Sequence, residues 1–148
     1  MTQGHFRALN ILLFIGATIV LVTAVLLEPD PNGVGTHQQL GLPPCVFLSL
    51  LGIPCPLCGM TTSFALMADG DLVGAFQNQP FAAVLFLLTA VSAIVSGLEL
   101  AAPAHRWRML LSCFKGREVG LLTAVFIAMI AAWAYKIAQN MIFLSALS

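Results

Sequence analysis

Long apolar segments that are almost free of charge constrain the fold of this chain more than any other feature. Residues 8–27 are uncharged, residues 81–98 are again uncharged, and a third apolar run begins near Val119 and passes Tyr135. A helix of 20 residues rises about 30 Å, which is the thickness of the hydrocarbon core of a bilayer. The sequence therefore predicts three membrane-spanning helices, at about residues 8–27, 80–100 and 119–140.

The composition excludes an ordinary soluble domain. Of the 148 residues, 59% are hydrophobic and 8% are charged, whereas soluble domains carry roughly a quarter charged residues. Six basic and six acidic residues balance one another, which leaves no electrostatic footprint for nucleic acid. We therefore predict a single all-α integral membrane domain over residues 1–148. Its first partner is the lipid bilayer, and other membrane subunits or a second copy of the chain stay open as partners.

The first apolar run is predicted to remain in the mature protein. A secretory signal peptide has a shorter apolar core, followed by a cleavage site of small residues, but this run ends in Glu28-Pro29-Asp30-Pro31. In the third run, the long side chain of Lys136 is predicted to extend to the membrane interface, with Trp133 and Tyr135 beside it.

The charges of the connecting segments predict an orientation. Residues 103–118 hold four of the six basic residues, namely Arg106, Arg108, Lys115 and Arg117. Cytoplasmic loops of membrane proteins are enriched in Lys and Arg, and Arg7 with the terminal amine places the N-terminus on the same side. We therefore expect the N-terminus and the loop 103–118 to be cytoplasmic.

A further apolar segment, at about residues 42–69, is interrupted by helix breakers: Pro43, Pro44, Gly52, Pro54, Pro56 and Gly59. If it crossed the membrane, the N-terminus and the basic loop would lie on opposite sides. A re-entrant hairpin that opens outward keeps both inside, and irregular backbone is tolerated at membrane depth where protein surrounds it. The predicted fold is three transmembrane helices plus a re-entrant or kinked cysteine-containing hairpin, and four spans are the alternative.

The hairpin carries a candidate metal site. Cys55 and Cys58 have the Cys-x₂-Cys spacing that supplies half of many tetrahedral zinc sites. Cys45 lies ten residues earlier and His37 eight residues before that, so the two complete a Cys₃His set. Thiolates also suit iron and copper. We predict zinc first, with iron, copper or no metal as alternatives.

Two other roles for these cysteines stay open. Cys55 and Cys58 could be the dithiol of a membrane thiol–disulfide oxidoreductase, although Cys113 falls in the predicted cytoplasmic loop and leaves no second outward pair. The cysteines could instead be structural in an accessory subunit of a larger membrane complex. The sequence contains no nucleotide-binding loop, serine nucleophile or HExxH helix, so no enzyme activity is predicted and Cys113 is given no chemical role.

The residues around the cysteines resemble a known family. The matching elements are His37…Leu40-Gly41-Leu42-Pro43-Pro44-Cys45, Pro54-Cys55-Pro56-Leu57-Cys58-Gly59-Met60-Thr61 and Asp69-Gly70-Asp71…Ala75-Phe76…Pro80. They are similar to elements of domain-of-unknown-function family 2752, over roughly residues 35–85. The resemblance implies a small bacterial protein of the inner membrane and supplies no activity. Thr62 stands where many relatives have arginine, and the family's Asn-Pro is stretched to Asn78-Gln79-Pro80, so no anion-binding role is carried over.

Overall fold

The computed structural model describes residues 3–102, 106–112 and 116–147. Within these ranges the chain forms α-helices and one short 3₁₀ helix, Thr36–Leu40, and contains no β-strand. The helices are α1 Gln3–Leu26, α2 Val46–Leu51, α3 Met60–Asp69, α4 Leu72–Asn78, α5 Pro80–Ala101, α6 Arg106–Ser112 and α7 Glu118–Leu147. Cys113 and Lys115, which belong to the predicted basic loop, lie outside the described residues.

Three of these helices are long and apolar enough to cross a membrane: His5–Leu26, Pro80–Ala101 and Glu118–Met141. Most of their large apolar side chains are exposed on the outside of the protein. Such a surface suits lipid, because water would not solvate it. The prediction of an all-α membrane fold with three candidate spans is confirmed.

The helices α1 and α5 pack against each other in antiparallel directions. Ala24, near the end of α1, shares a buried cluster with Ala82 at the start of α5. At the other end, a Cβ placed on Gly97 would lie only 3.1 Å from the Phe14 ring. The two helices approach closely there because Gly97 has no side chain.

The last part of α7 returns to the end of the bundle where α1 finishes and α5 begins. Lys136 of α7 donates a hydrogen bond to the carbonyl oxygen of Gly33, seven residues after α1 ends. We call this end of the bundle, formed by the last turn of α1, the first turns of α5 and residues 132–140 of α7, the cysteine end.

The cysteine segment packs on the cysteine end and does not cross the bundle. With six and ten residues, α2 and α3 are about 9 and 15 Å long, far short of a membrane span. Phe64 of α3 packs against Ala24 and Ala82, and its ring meets that of Phe86 edge-on at 5.4 Å. Since Phe86 lies only six residues into α5, these contacts extend about 9 Å from the start of that helix.

Polar contacts fix the connection that leads from α1 to the first cysteine. The Gln39 side chain accepts a hydrogen bond from the Glu28 N–H at 3.1 Å and donates one to the Glu28 carbonyl at 2.7 Å. The buried hydroxyls of Thr36 and Thr62 are 2.8 Å apart. This connection therefore closes over α3 and brings His37 and Cys45 toward the remaining cysteines.

Candidate metal centre

Three cysteines from separate parts of the segment lie together. The sulfur atoms of Cys45, Cys55 and Cys58 are all within 4.8 Å of one another, and the three are free thiols. Cys45 directly precedes α2, and the chain reverses after α2 at Gly52, whose φ of +66° belongs to the left-handed region that glycine adopts without strain. This reversal brings Cys45 beside Cys55 and Cys58, and we call the three residues the cysteine cluster.

A tight turn sets the separation of the other two cysteines. The Cys58 N–H donates a hydrogen bond to the Cys55 carbonyl at 2.9 Å. Pro56 occupies the second position of this turn, where its fixed φ favours the turn conformation. The two sulfurs therefore leave the same turn, as the Cys-x₂-Cys spacing predicts.

The surroundings make the thiols chemically unequal. Partial burial opposes ionisation of Cys45, but the nearby Leu48 N–H and the thiols of Cys58 and Cys55 favour its thiolate and lower its pKa to about 7. Burial, together with hydrogen bonds to Cys45 and Cys55, raises the pKa of Cys58 to about 12. One thiol is thus ready to ionise near neutral pH, and its neighbour stays protonated unless a positive charge or a metal stabilises the thiolate.

A cavity of about 350 Å³ adjoins the cysteine cluster, and all three cysteines lie in its wall. His37, the fourth predicted ligand, also lines this cavity, but it is not part of the cluster of donor atoms. Its Nε2 is 3.1 Å from the Pro43 carbonyl oxygen. The structure therefore brings the three predicted sulfur ligands together and leaves the predicted histidine on the cavity wall.

Side chains of α7 hold the irregular backbone at residues 52–59, which we call the cysteine loop. The Trp133 indole N–H donates to the Pro54 carbonyl at 2.8 Å, and the Asn140 amide donates to the Gly52 carbonyl at 3.2 Å. Backbone carbonyls of a non-helical segment need such partners where water is scarce.

Two more carbonyls of the same loop are held by residues at the junction of α4 and α5. The buried Gln79 donates its side-chain amide to the Pro56 carbonyl at 3.2 Å, and the Asn78 amide donates to the Gly59 carbonyl at 3.0 Å. Donors from two distant parts of the chain thus bind four carbonyls of the cysteine loop. They fix the backbone from which Cys55 and Cys58 project.

Gly59 permits a close approach beside the cysteine cluster. Its φ is +85°, and a Cβ on this residue would lie 2.7 Å from the Gly33 carbonyl oxygen and 3.0 Å from the Asn78 amide nitrogen. Both the left-handed backbone and the lack of space require glycine here. The Gly33 turn after α1 can therefore pack directly on the cysteine loop.

The prediction for Lys136 is wrong. Instead of reaching the membrane interface, its side chain is only 8% exposed and turns into the protein beside Gly59. Its Nζ donates to the Gly33 carbonyl and to the backbone and side-chain oxygens of Asn78. Three oxygen acceptors replace the water that a snorkelling lysine would contact.

The residues that hold the loop were missed as members of the site because they are distant in sequence. Only one signal pointed to them: Asn78, Gln79, Lys136 and Asn140 are polar residues in otherwise apolar surroundings. Polar groups in membrane segments face the protein interior and find partners there. That rule identifies the residues but does not name the carbonyls that they contact.

Comparison with known proteins finds a family to which the central part of the chain is similar. Residues 45–93 match the model of a family described as a protein of unknown function, DUF2752, which confirms the resemblance noted in the sequence. The matched region contains the whole cysteine cluster together with Asn78 and Gln79, and it excludes His37 and α7. No curated protein and no solved structure matches the chain.

Proposed function

We propose that this protein, whose cysteine segment matches a family without an assigned activity, is a membrane metal-binding protein that holds zinc at the cysteine end. Cys45, Cys55 and Cys58 are the proposed thiolate ligands. The observation that carries the proposal is the grouping of their three sulfurs within 4.8 Å of one another. Soft thiolates are the side chains that bind zinc and other thiophilic metals most strongly.

The spacing of the sulfurs suits a zinc ion. Zinc–sulfur bonds of about 2.3 Å in a tetrahedral site place the sulfurs about 3.8 Å apart. The sulfurs of the cysteine cluster need to approach one another by about 1 Å at most to reach this separation. Rotation of a cysteine side chain supplies such a movement without a change in the backbone.

Three sulfurs leave one position of a tetrahedral zinc site for a fourth ligand. We propose His37 for this position, because it lies in the cavity wall and imidazole is a common zinc ligand. To bind, its ring has to leave the Pro43 carbonyl, with which it now shares a hydrogen bond. Replacing His37 with alanine should then leave three sulfurs and one oxygen around the metal, a change that X-ray absorption spectroscopy detects.

The test of the proposal is metal analysis of the full chain, purified in detergent without chelators. We expect about one zinc per chain, and the double variant Cys55→Ser, Cys58→Ser should contain none. Cys113→Ser is the matched control, because it removes a thiol that has no predicted role, and it should keep the metal. Wild-type protein that holds no zinc, iron or copper after reconstitution under reducing conditions would contradict the proposal.

The closeness of the thiols also favours a second candidate, a thiol–disulfide oxidoreductase. Cys45, with a pKa of about 7, would be the nucleophilic thiol of such an enzyme, and the buried Cys58, with a pKa of about 12, a resolving thiol. The metal content and the redox state of the cysteines in the same purified protein distinguish the two candidate functions. A metal-free protein with a reducible bond between two of the three cysteines favours the oxidoreductase, and bound metal with three reduced thiols favours the metal site.

The proposed orientation adds a reason for a bound metal. We propose that the protein lies in the bacterial inner membrane, with the N-terminus and residues 103–118 in the cytoplasm and the cysteine end facing outward. Free thiols on that side meet an oxidising environment. Three neighbouring thiols would form a disulfide there unless a ligand such as a metal ion protected the sulfurs.

A further inference from the structure

Lys136 is a buried basic residue without an acidic partner among the described residues. Its side chain is 8% exposed, and the ion pair that the structure shows between described side chains joins Arg106 and Glu99. Asp30 and Lys136 both line a second cavity of the protein, but the two side chains form no ion pair. Burial of a charge is costly unless an opposite charge lies nearby, so an anion at this place would stabilise the protein.

The hydrogen bonds of Lys136 are those of an ammonium group. Its Nζ contacts the Gly33 carbonyl and the Asn78 carbonyl, both at 3.3 Å, and the Asn78 side-chain oxygen. Three acceptors match the three N–H groups of –NH₃⁺, whereas a neutral amine has two. The site around Nζ therefore supplies dipoles for a cation but no full negative charge.

The cysteine cluster lies next to this cation. A Cβ on Gly59, the residue after Cys58, would be 3.2 Å from Nζ, and the ammonium interacts electrostatically with Cys58. Lys136 also connects the turn at Gly33 with the end of α4 at Asn78. Both of these hydrogen-bond partners lie against Gly59, next to the cysteine cluster. Negative charge on Cys58 is therefore a charge that the ammonium can balance.

We propose that Lys136 is the positioning and charge-balancing residue of the cysteine site. This inference rests on the proposed metal-binding function. Three thiolates around a divalent ion carry a net charge of −1, and the ammonium balances that charge in surroundings of low polarity. The arrangement favours a metal bound by all three thiolates, because the cation stabilises the third deprotonated sulfur.

Cobalt(II) is the probe for this role, because it occupies zinc sites and gives a thiolate-to-metal charge-transfer band. In the full chain in detergent, Lys136→Met should weaken cobalt binding about tenfold or more, as loss of groups that support metal ligands does. The band should also move to longer wavelength, because sulfur electrons rise in energy without the nearby positive charge. Lys136→Arg should restore both properties toward those of wild type.

Asn140→Leu is the matched control. It removes a hydrogen bond between α7 and the cysteine loop without changing charge, so it should leave the wavelength of the band unchanged. If Lys136→Met does not fold, Lys136→Gln, which keeps a hydrogen-bond donor but no charge, gives the same readout. Neutral variants with wild-type affinity and an unshifted band would overturn the role of Lys136. Wild-type protein that binds no cobalt would instead overturn the metal site itself.

Discussion

Single residues decide how the three thiols of the cysteine cluster react. Cys45 is half-buried and Cys58 is buried, and their pKa values of about 7 and about 12 lie on opposite sides of the ordinary thiol value. The thiolate is the form that reacts with alkylating reagents. Reactivity in the metal-free protein therefore reports directly on the environment of each sulfur.

In reduced, metal-free protein we expect N-ethylmaleimide to modify Cys45 before Cys58. The pKa of Cys45 is lowered, so its rate should rise as the pH increases through about 7 and level off above that value, while Cys58 should stay unmodified at neutral pH. Peptide mass spectrometry after limited labelling measures both rates, and added zinc should slow the reaction of Cys45. Equal rates for the two residues at neutral pH would contradict this order.

The crowded backbone at Gly59 predicts that Gly59→Ala lowers the stability of the protein more than the control variant Gly41→Ala does. Both glycines have positive φ, but a Cβ at Gly41 meets nothing within 4 Å, whereas one at Gly59 would meet the Gly33 carbonyl at 2.7 Å. Gly41→Ala should cost about 1 kcal/mol from the left-handed conformation alone, and Gly59→Ala about 3 kcal/mol. Thermal unfolding in detergent compares the two, and equal losses would show that Gly59 is not crowded.

Among the elements, α7 has the most uneven packing. Its polar residues Trp133, Lys136 and Asn140 follow one another at spacings of three and four residues, which places them on one face of the helix. That face contacts the cysteine loop and the Gly33 turn. Side chains of residues 118–131 are mostly exposed. The helix is therefore fastened to the bundle mainly at the cysteine end.

Trp133→Phe tests whether this attachment matters for the metal. The variant keeps an aromatic ring and loses the hydrogen bond to the Pro54 carbonyl, which should cost about 1–3 kcal/mol because a buried oxygen loses its donor. Metal affinity should fall about tenfold, since the loop that carries Cys55 is less constrained. Both effects are measured in detergent, by thermal unfolding and by competition with a zinc chelator.

The control for this variant is Trp107→Phe. Trp107 of α6 likewise donates its indole N–H to a buried partner, the Ser96 hydroxyl, at 3.2 Å. It lies toward the opposite end of α5, so its loss should lower stability and leave metal affinity unchanged. A fall in affinity of the same size in both variants would mean that affinity follows general stability and not the α7 contact.

Local sequence was sufficient to predict the spans and part of the site. Charge-free runs of about 20 residues require helices in lipid, and the Cys-x₂-Cys spacing with an intervening proline predicts the turn that joins Cys55 and Cys58. The helix breakers Gly52 and Pro54, which the sequence shows within the hairpin, lie between the short helices α2 and α3.

Contacts between distant residues could not be predicted from the sequence. Lys136 approaches Gly33 across 103 positions and Asn140 approaches Gly52 across 88, and no periodic pattern relates such residues. Lys136 was assigned to the interface because a lysine near the end of an apolar helix usually extends to water. Its burial depends on the carbonyl oxygens that Gly33 and Asn78 present, which only the folded chain brings together.

For the whole molecule, the arrangement of the three long helices makes a prediction about sidedness. The turn after α1 lies at the cysteine end, and the start of α7 follows α6 at the opposite end, so positions 32 and 117 should lie on opposite sides of the membrane. We expect Asn32→Cys to react with a membrane-impermeant maleimide from outside intact cells, in a background without the native cysteines. Arg117→Cys should react only after the cells are opened. Reaction of both positions from the same side would contradict three spans.

The hydrogen bonds that hold the cysteine loop also affect how a metal ion would bind to the proposed site and dissociate from it. Side chains of α4, of α7 and of Gln79 already fix the backbone of the cysteine loop. The loop therefore loses its conformational entropy when the bundle folds, and an ion that binds later does not have to order the backbone. Zinc fingers, in contrast, fold only around their metal. We therefore expect an ion at the proposed site to exchange with the surrounding solution by movement of the three sulfur atoms, without unfolding of the helices.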